Sequence, residues 1–127
     1  MGFTLRNLKE VDDAAPAFGL SPDLEARFAR KPLGSTKVAV SYQRLQPGFR
    51  IPFGHKHATQ EEIYVVLSGS ATVKLDDETI ELKQLDALRV DPETMRGIES
   101  GPEGVTFIAI GGPIGEQNDA EMVNGWW

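Results

Sequence analysis

The stretch "PGFRIPFGHKHATQEEIYVVLSG", residues 47–69, holds both histidines of the chain, His55 and His57. Residues two apart in an extended strand point to the same face. A strand over this stretch therefore puts both imidazoles on one side, together with Ile51 and Phe53. Five residues past His57 stands Glu62, at the start of the β-branched run Ile63 to Leu67, which Ser68-Gly69 closes. An odd spacing across a turn suits a second strand that returns its carboxylate toward the two rings. Two imidazoles and one carboxylate form a facial ligand set with open positions, suited to a divalent transition metal: iron, manganese, nickel or zinc. The competing reading is a solvated loop, which Lys56 and Thr59-Gln60 fit equally. A bare His-x-His does not separate the two.

Working outward, the chain from Lys37 onward reads as strand after strand. Val38, Val40 and Tyr42 alternate with smaller or polar residues before Pro47-Gly48. Ala71 to Leu75 and Thr79 to Leu82 flank Asp76-Asp77-Glu78, a hairpin signal. Leu85 to Val90 and Met95 to Glu99 follow. Gly101-Pro102-Glu103-Gly104 reads as a loop, and Val105 to Ile110 as the last strand. Short strands broken by Gly/Pro turns, without long helical periodicity, predict an all-β sandwich or barrel. Residues 1–34 are irregular. Ser21-Pro22-Asp23 has the form of a helix start, while Leu24, Ala26 and Phe28 alternate as in a strand. Both remain open. The division expected is an N-terminal extension over 1–34, packed on the barrel or on a partner subunit, a barrel over 35–111 and a C-terminal tail over 112–127. That tail is polar until Trp126-Trp127, whose burial is favourable enough to predict that they cap the barrel or a partner subunit.

A chain of 127 residues without cysteine is one domain of ordinary size, with no disulfide framework, thiolate metal site or cysteine nucleophile. A net charge of -6 without a Lys/Arg cluster argues against nucleic acid and anionic membranes as partners. The N-terminus lacks the pattern of a signal peptide and no segment has membrane-spanning length, so a cytoplasmic location is expected.

The quoted stretch resembles the first motif of the cupin superfamily, in which Gly, His-x-His, Glu and Gly recur at set spacings. Gly48, His55, His57, Glu62 and Gly69 fill those places, with one extra residue between Gly48 and His55. The resemblance to small one-domain cupins covers roughly Ser35 to Gly111. It implies a double-stranded β-helix, or jelly-roll barrel, with the site at its mouth and metal ligands His55, His57 and Glu62. It also implies a homodimer, since many members pair through sheet edges or exchanged strands. Family members include dioxygenases, isomerases, epimerases, decarboxylases, sensor domains and storage proteins. Fold therefore does not select the chemistry.

Metal-holding members usually add a third histidine from a second motif. The matching region is "LDALRVDPETMRGIES", residues 85–100, and Arg96 falls at the histidine's place. A guanidinium stays protonated and offers no lone pair. At about 5 Å from a divalent cation it is repelled by roughly 6 to 7 kcal/mol at an effective dielectric of about 20. Three arrangements relieve the conflict. Arg96 points away, and water or Gln60 completes the set. Arg96 enters the pocket and binds an anionic substrate shared with the metal. Or Arg96 pairs with Glu62 in a metal-free pocket. A surface arginine is the plain alternative. Parity places Tyr64 and Val66 inward with Glu62, and Ile98 inward with Arg96; no parity orients Tyr42 or Phe107. The expected substrate contacts are Arg96, Tyr64, Phe53 and Gln60, with Tyr64 the nearest acid/base candidate. The expected function is a barrel pocket that binds a divalent metal, a small anionic or polar organic molecule, or both. If catalytic, it is an isomerase or dioxygenase by family analogy. The alternative is a non-catalytic, metal-free binding or sensor module in which Arg96 replaces the third histidine.

Overall fold

The alternating apolar residues resolve into one curled sheet of eight strands in a computed structural model that describes residues 2–115 and 117–127. The strands are β1 (Leu24–Phe28), β2 (Ala39–Leu45), β3 (Phe53–His57), β4 (Glu61–Leu75), β5 (Glu78–Leu82), β6 (Ala87–Val90), β7 (Arg96–Gly112) and β8 (Ala120–Asn124). Every pairing is antiparallel. One short helix, α1 (Arg30–Leu33), and two 3-10 turns complete the regular structure. No helix among the described residues is long and apolar enough to cross a membrane.

β4 and β7 are the spine, 15 and 17 residues long, paired from Glu61↔Gly112 to Leu75↔Arg96. Each contains two stretches that the sequence separates. In β4 the inward set is Tyr64 and Val66 before the break, and Ala71 and Val73 after it. The change from even to odd positions needs the register shifts at Val66/Ser68 and Gly69/Ala71. Gly101 to Gly104, expected as a loop, lies within β7, where four residues stand opposite Ser70 alone. Gly69 makes this possible: its φ is +75°, and a Cβ there would collide with the Gly104 carbonyl. Only glycine meets both demands.

β1 settles the open choice after Ser21-Pro22: Leu24 to Phe28 pairs with β2 as a strand, and Leu24 and Ala26 enter the core. The sheet thus extends past both bounds of the 35–111 segment, with β1 on one side and β8 on the other. In β2 the inward residues are Ser41 and Leu45; Val38 is exposed, and Tyr42, unoriented by the sequence, faces the N-terminal segment, where Lys9 Nζ lies 5.2 Å from its ring centre. Phe107, left unoriented by the sequence, is fully buried and packs edge-on against Tyr64. With Leu45, Val66, Val73 and Val105 it forms the core. The N-terminal segment is fixed to β1 by Glu25, whose carboxylate meets Lys9 at 2.6 Å, Arg27 at 2.7 Å and Arg44 at 3.2 Å.

The tail is more than polar linker. β8 pairs with β3 from Phe53↔Asn124 to His57↔Ala120. Trp126 then packs on Gly54 and Gly97, beneath Lys74 Nζ at 4.4 Å, and Trp127 lies beneath Arg50 at 4.1 Å. A Cβ at Gly54 would stand 2.5 Å from the Trp126 ring, so the close approach requires glycine.

Candidate metal centre

The period of the strand aims His55 and His57 at one side, as the sequence predicts, and Ile51 and Phe53 line the same cavity. The ring centres are 5.1 Å apart and nearly perpendicular. Glu62, the second residue of β4, returns its carboxylate to them. Its Oε1 is 3.1 Å from His55 Nε2 and 3.3 Å from His57 Nε2. One donor atom from each of the three side chains lies within 4.8 Å of the others. Neighbouring donors about 2.1 Å from a common cation stand roughly 3.0 to 3.4 Å apart in octahedral or tetrahedral sites. The two imidazole–carboxylate distances fall in that range.

His57 is prepared for such a role on both sides of its ring. Nδ1 lies 2.8 Å from Asp119 Oδ1, which makes it the protonated nitrogen and leaves a lone pair on Nε2. Nε2 is buried and has no well-aligned hydrogen bond, despite the nearness of Glu62. Asp119 is itself saturated. It accepts from Thr59 N at 2.8 Å, Thr59 Oγ1 at 3.2 Å, Gln60 N at 2.9 Å and Gln60 Nε2 at 2.8 Å. Burial pushes the Asp119 carboxyl up, but these bonds and that of His57 outweigh it and hold the group far below the usual range. Sequence reading missed Asp119. It lies in a polar tail segment, and nothing local to "QND" signals a partner 62 residues away.

Burial likewise opposes the charge on Glu62, and the nearness of both imidazoles overcomes it, so the carboxyl stays ionised. For His57, burial favours the neutral ring, but Glu62 and Asp119 together raise its proton affinity. A cation at Nε2 would compete with this second proton for the lone pair, so binding there would weaken as pH falls. The donor set fits a divalent transition metal.

Tyr64 donates from its hydroxyl to Glu62 Oε1 at 2.9 Å. Burial and the Glu62 charge push this phenol well up, so it is a fixed donor that orients the carboxylate. Gln60 also lines the cavity, but its amide nitrogen is committed to Asp119. Glu61 is solvent-facing and pairs with Arg89 at 3.1 Å.

Arg96 is no surface arginine: it is 3% exposed and sits opposite His55 in the ladder. Nη2 donates to the Asp91 carbonyl at 2.9 Å, and Nη1 to the His55 carbonyl at 3.5 Å. Nη1 is also 3.7 Å from Glu62 Oε1, while the buried Nε has no partner among the described residues. The guanidinium is therefore anchored by carbonyls beside the His/His/Glu cluster. These groups line a cavity of about 620 Å3 whose remaining wall is mostly apolar.

Residues 41–110 match the Cupin domain family. "Uncharacterized protein MJ1618" of Methanocaldococcus jannaschii is 44% identical over 70 residues, which is 54% of this chain and 56%, about half, of that protein. A cupin protein from Bacteroides fragilis superposes with a TM-score of 0.73 at 26% identity, covering 93% of this chain and 90% of that one. A protein from Planctomyces limnophilus gives 0.69 at 27% identity, over 92% and 94% of the two chains. With the family match covering more than half the chain and the eight-stranded curled sheet built around it, this protein belongs to the cupin family.

Proposed function

We propose that the protein binds a divalent transition metal through His55, His57 and Glu62 and, beside it, a small organic molecule with an acidic group. The observation that supports this most is the convergence of two imidazole nitrogens on one carboxylate oxygen at 3.1 and 3.3 Å, at the wall of a large cavity. A metal bound there supplies Lewis acidity and open coordination positions. The chain does the rest. Asp119 holds the His57 tautomer, Tyr64 orients Glu62, and Arg96 presents a permanent positive charge to an incoming anion. The apolar wall removes water around the ligand, which strengthens each charged contact. Among the described residues none near the cluster stands free as a general base, so the reading stops at binding; an isomerase or dioxygenase step rests on family analogy.

A second reading has a specific observation behind it. Arg96 Nη1 lies 3.7 Å from Glu62 and balances part of its charge without a metal. The cavity is then a metal-free binding site. Elemental analysis after removal of a cleavable tag decides between the two. The metal reading predicts about one equivalent of iron, manganese, nickel or zinc, lost in Glu62→Gln. Less than about a tenth of an equivalent after incubation with each of these metals leaves only the second reading.

A further inference from the structure

We propose that the cavity takes a ligand with two acidic ends joined by an apolar body. One acid lies at Arg96 and the metal cluster, the other at Arg30 and Lys31. The first end rests on the proposed function above; the second stands on separate residues.

Arg30 and Lys31 are on α1, immediately after β1, and both line the same cavity as His55 and Arg96. Neither has an ion-pair partner among the described residues, and the Arg30 Nε is buried without a hydrogen bond. Their backbone is held firmly. Ala29 N donates to Val40 O at 2.9 Å, Leu33 N to Ala29 O at 2.9 Å, and Gly34 closes the turn at φ +69°. The two cationic side chains are thus mounted on a fixed support with no acceptor among the described residues.

The charges around the cavity run against those of the chain. The protein carries -6 overall, yet the cavity wall holds three permanent cations, Arg30, Lys31 and Arg96, against the single carboxylate of Glu62. A concave, low-dielectric site of this sign concentrates anions. The cations are carried by separate elements, Arg30 and Lys31 by α1 and Arg96 by the start of β7, and α1 is also apart from the strand that bears Glu62. Ala29 bonds to Val40, Val40 pairs with Ile110, and Ile110 pairs with Ile63. That is three strand spacings from α1 to the residue beside Glu62, a backbone path of roughly 14 Å along the curled sheet and an upper bound on the span across the cavity. Phe18, Leu20, Phe28, Ile51 and Phe53 line the wall. A single small acid leaves one end unmatched. A chain or ring system with an acid at each end matches both.

Straight-chain dicarboxylates from adipate to dodecanedioate, and the monocarboxylates of the same lengths, are the probes. Each is titrated calorimetrically into the full chain, with and without bound zinc. At one length or more, the diacid is expected to bind about tenfold tighter than the monoacid, the scale of a charge-assisted pair. Arg30→Gln/Lys31→Gln is expected to abolish that preference and leave monoacid binding intact, while the exposed control Lys83→Gln changes neither. Equal affinity for mono- and diacids, a preference that survives in the double variant, or no binding at all overturns the proposal. The metal reading fails separately, by unchanged monoacid affinity on adding zinc or in His57→Ala, because the diacid preference is a ratio that does not require the metal.

Discussion

Asp119 and His57 lie 62 residues apart in sequence and 2.8 Å apart in space, and their contact joins the C-terminal tail to the histidine strand. The carboxylate fixes which ring nitrogen is free. Replacing Asp119 with Asn is expected to weaken zinc binding by about tenfold, and with Ala by up to about a hundredfold. Competition with a chromophoric chelator at constant pH measures this. Histidine nitrogen NMR of the metal-free variants adds a readout independent of metal, since the His57 ring loses its preference for the Nδ1–H tautomer. Unchanged affinity and unchanged tautomer dismiss the role.

Arg96→His replaces a buried cation by a neutral ligand opposite His55. Metal affinity should rise by at least tenfold, in keeping with one added imidazole ligand and one removed repulsion. Stability should fall by about 1 to 3 kcal/mol, because the Asp91 and His55 carbonyls lose a charged donor. Titration calorimetry and urea denaturation of the same preparation report both. A loss of affinity would show that the guanidinium's neighbourhood cannot complete the set.

Glu25 sets a stability term that depends on pH. Burial raises its proton affinity, but the hydrogen bonds of Lys9, Arg27 and Arg44 outweigh this and hold the carboxyl at about 2. Its folded value lies below the unfolded one, so the stabilisation is complete above about pH 4.5 and is lost as pH falls toward 2. Glu62 and Asp119 act in the same direction at lower pH still. Subtracting the unfolding curve of Glu25→Gln isolates the Glu25 share. A difference of about 1 to 3 kcal/mol at pH 6 should shrink at pH 3. A constant difference contradicts the assignment.

The two motif glycines should respond unequally to alanine. Gly48 has φ +69° and open space around its Cα, so Gly48→Ala should cost about 1 to 2 kcal/mol of backbone strain. Gly69 has φ +75° and no room for a Cβ against Gly104, so Gly69→Ala should cost more than about 3 kcal/mol or prevent folding. Thermal melts rank them, and equal costs would mean that the Gly69–Gly104 approach relaxes freely.

What the sequence revealed was local. His55, His57 and Glu62 were legible because strand parity acts over a few residues, and the same parity placed Tyr64, Val66 and Ile98. Ser68-Gly69 read as an end because turn chemistry and a bulge use the same residues; only the pairing of β4 with β7 distinguishes them. The inward face of β2 stays unassigned in the sequence because Ser41 and Gln43, which line the cavity, are polar and give no apolar alternation to follow. β8 and Asp119 left no signal: the strand Ala120–Asn124 is mostly exposed, and its role comes from a partner strand far away in sequence.

β3, which bears both histidines, shares five ladder pairs with β8 and a single one, His55↔Arg96, with β7. Much of the hydrogen-bonded support for the histidine strand is therefore the exposed tail strand itself. In hydrogen-exchange terms, the amides of 53–57 and 120–124 should open together, at a lower free energy than those of β4 and β7. A probe, tag or protease that disturbs the last residues acts on the cluster's geometry even though it touches none of its ligands.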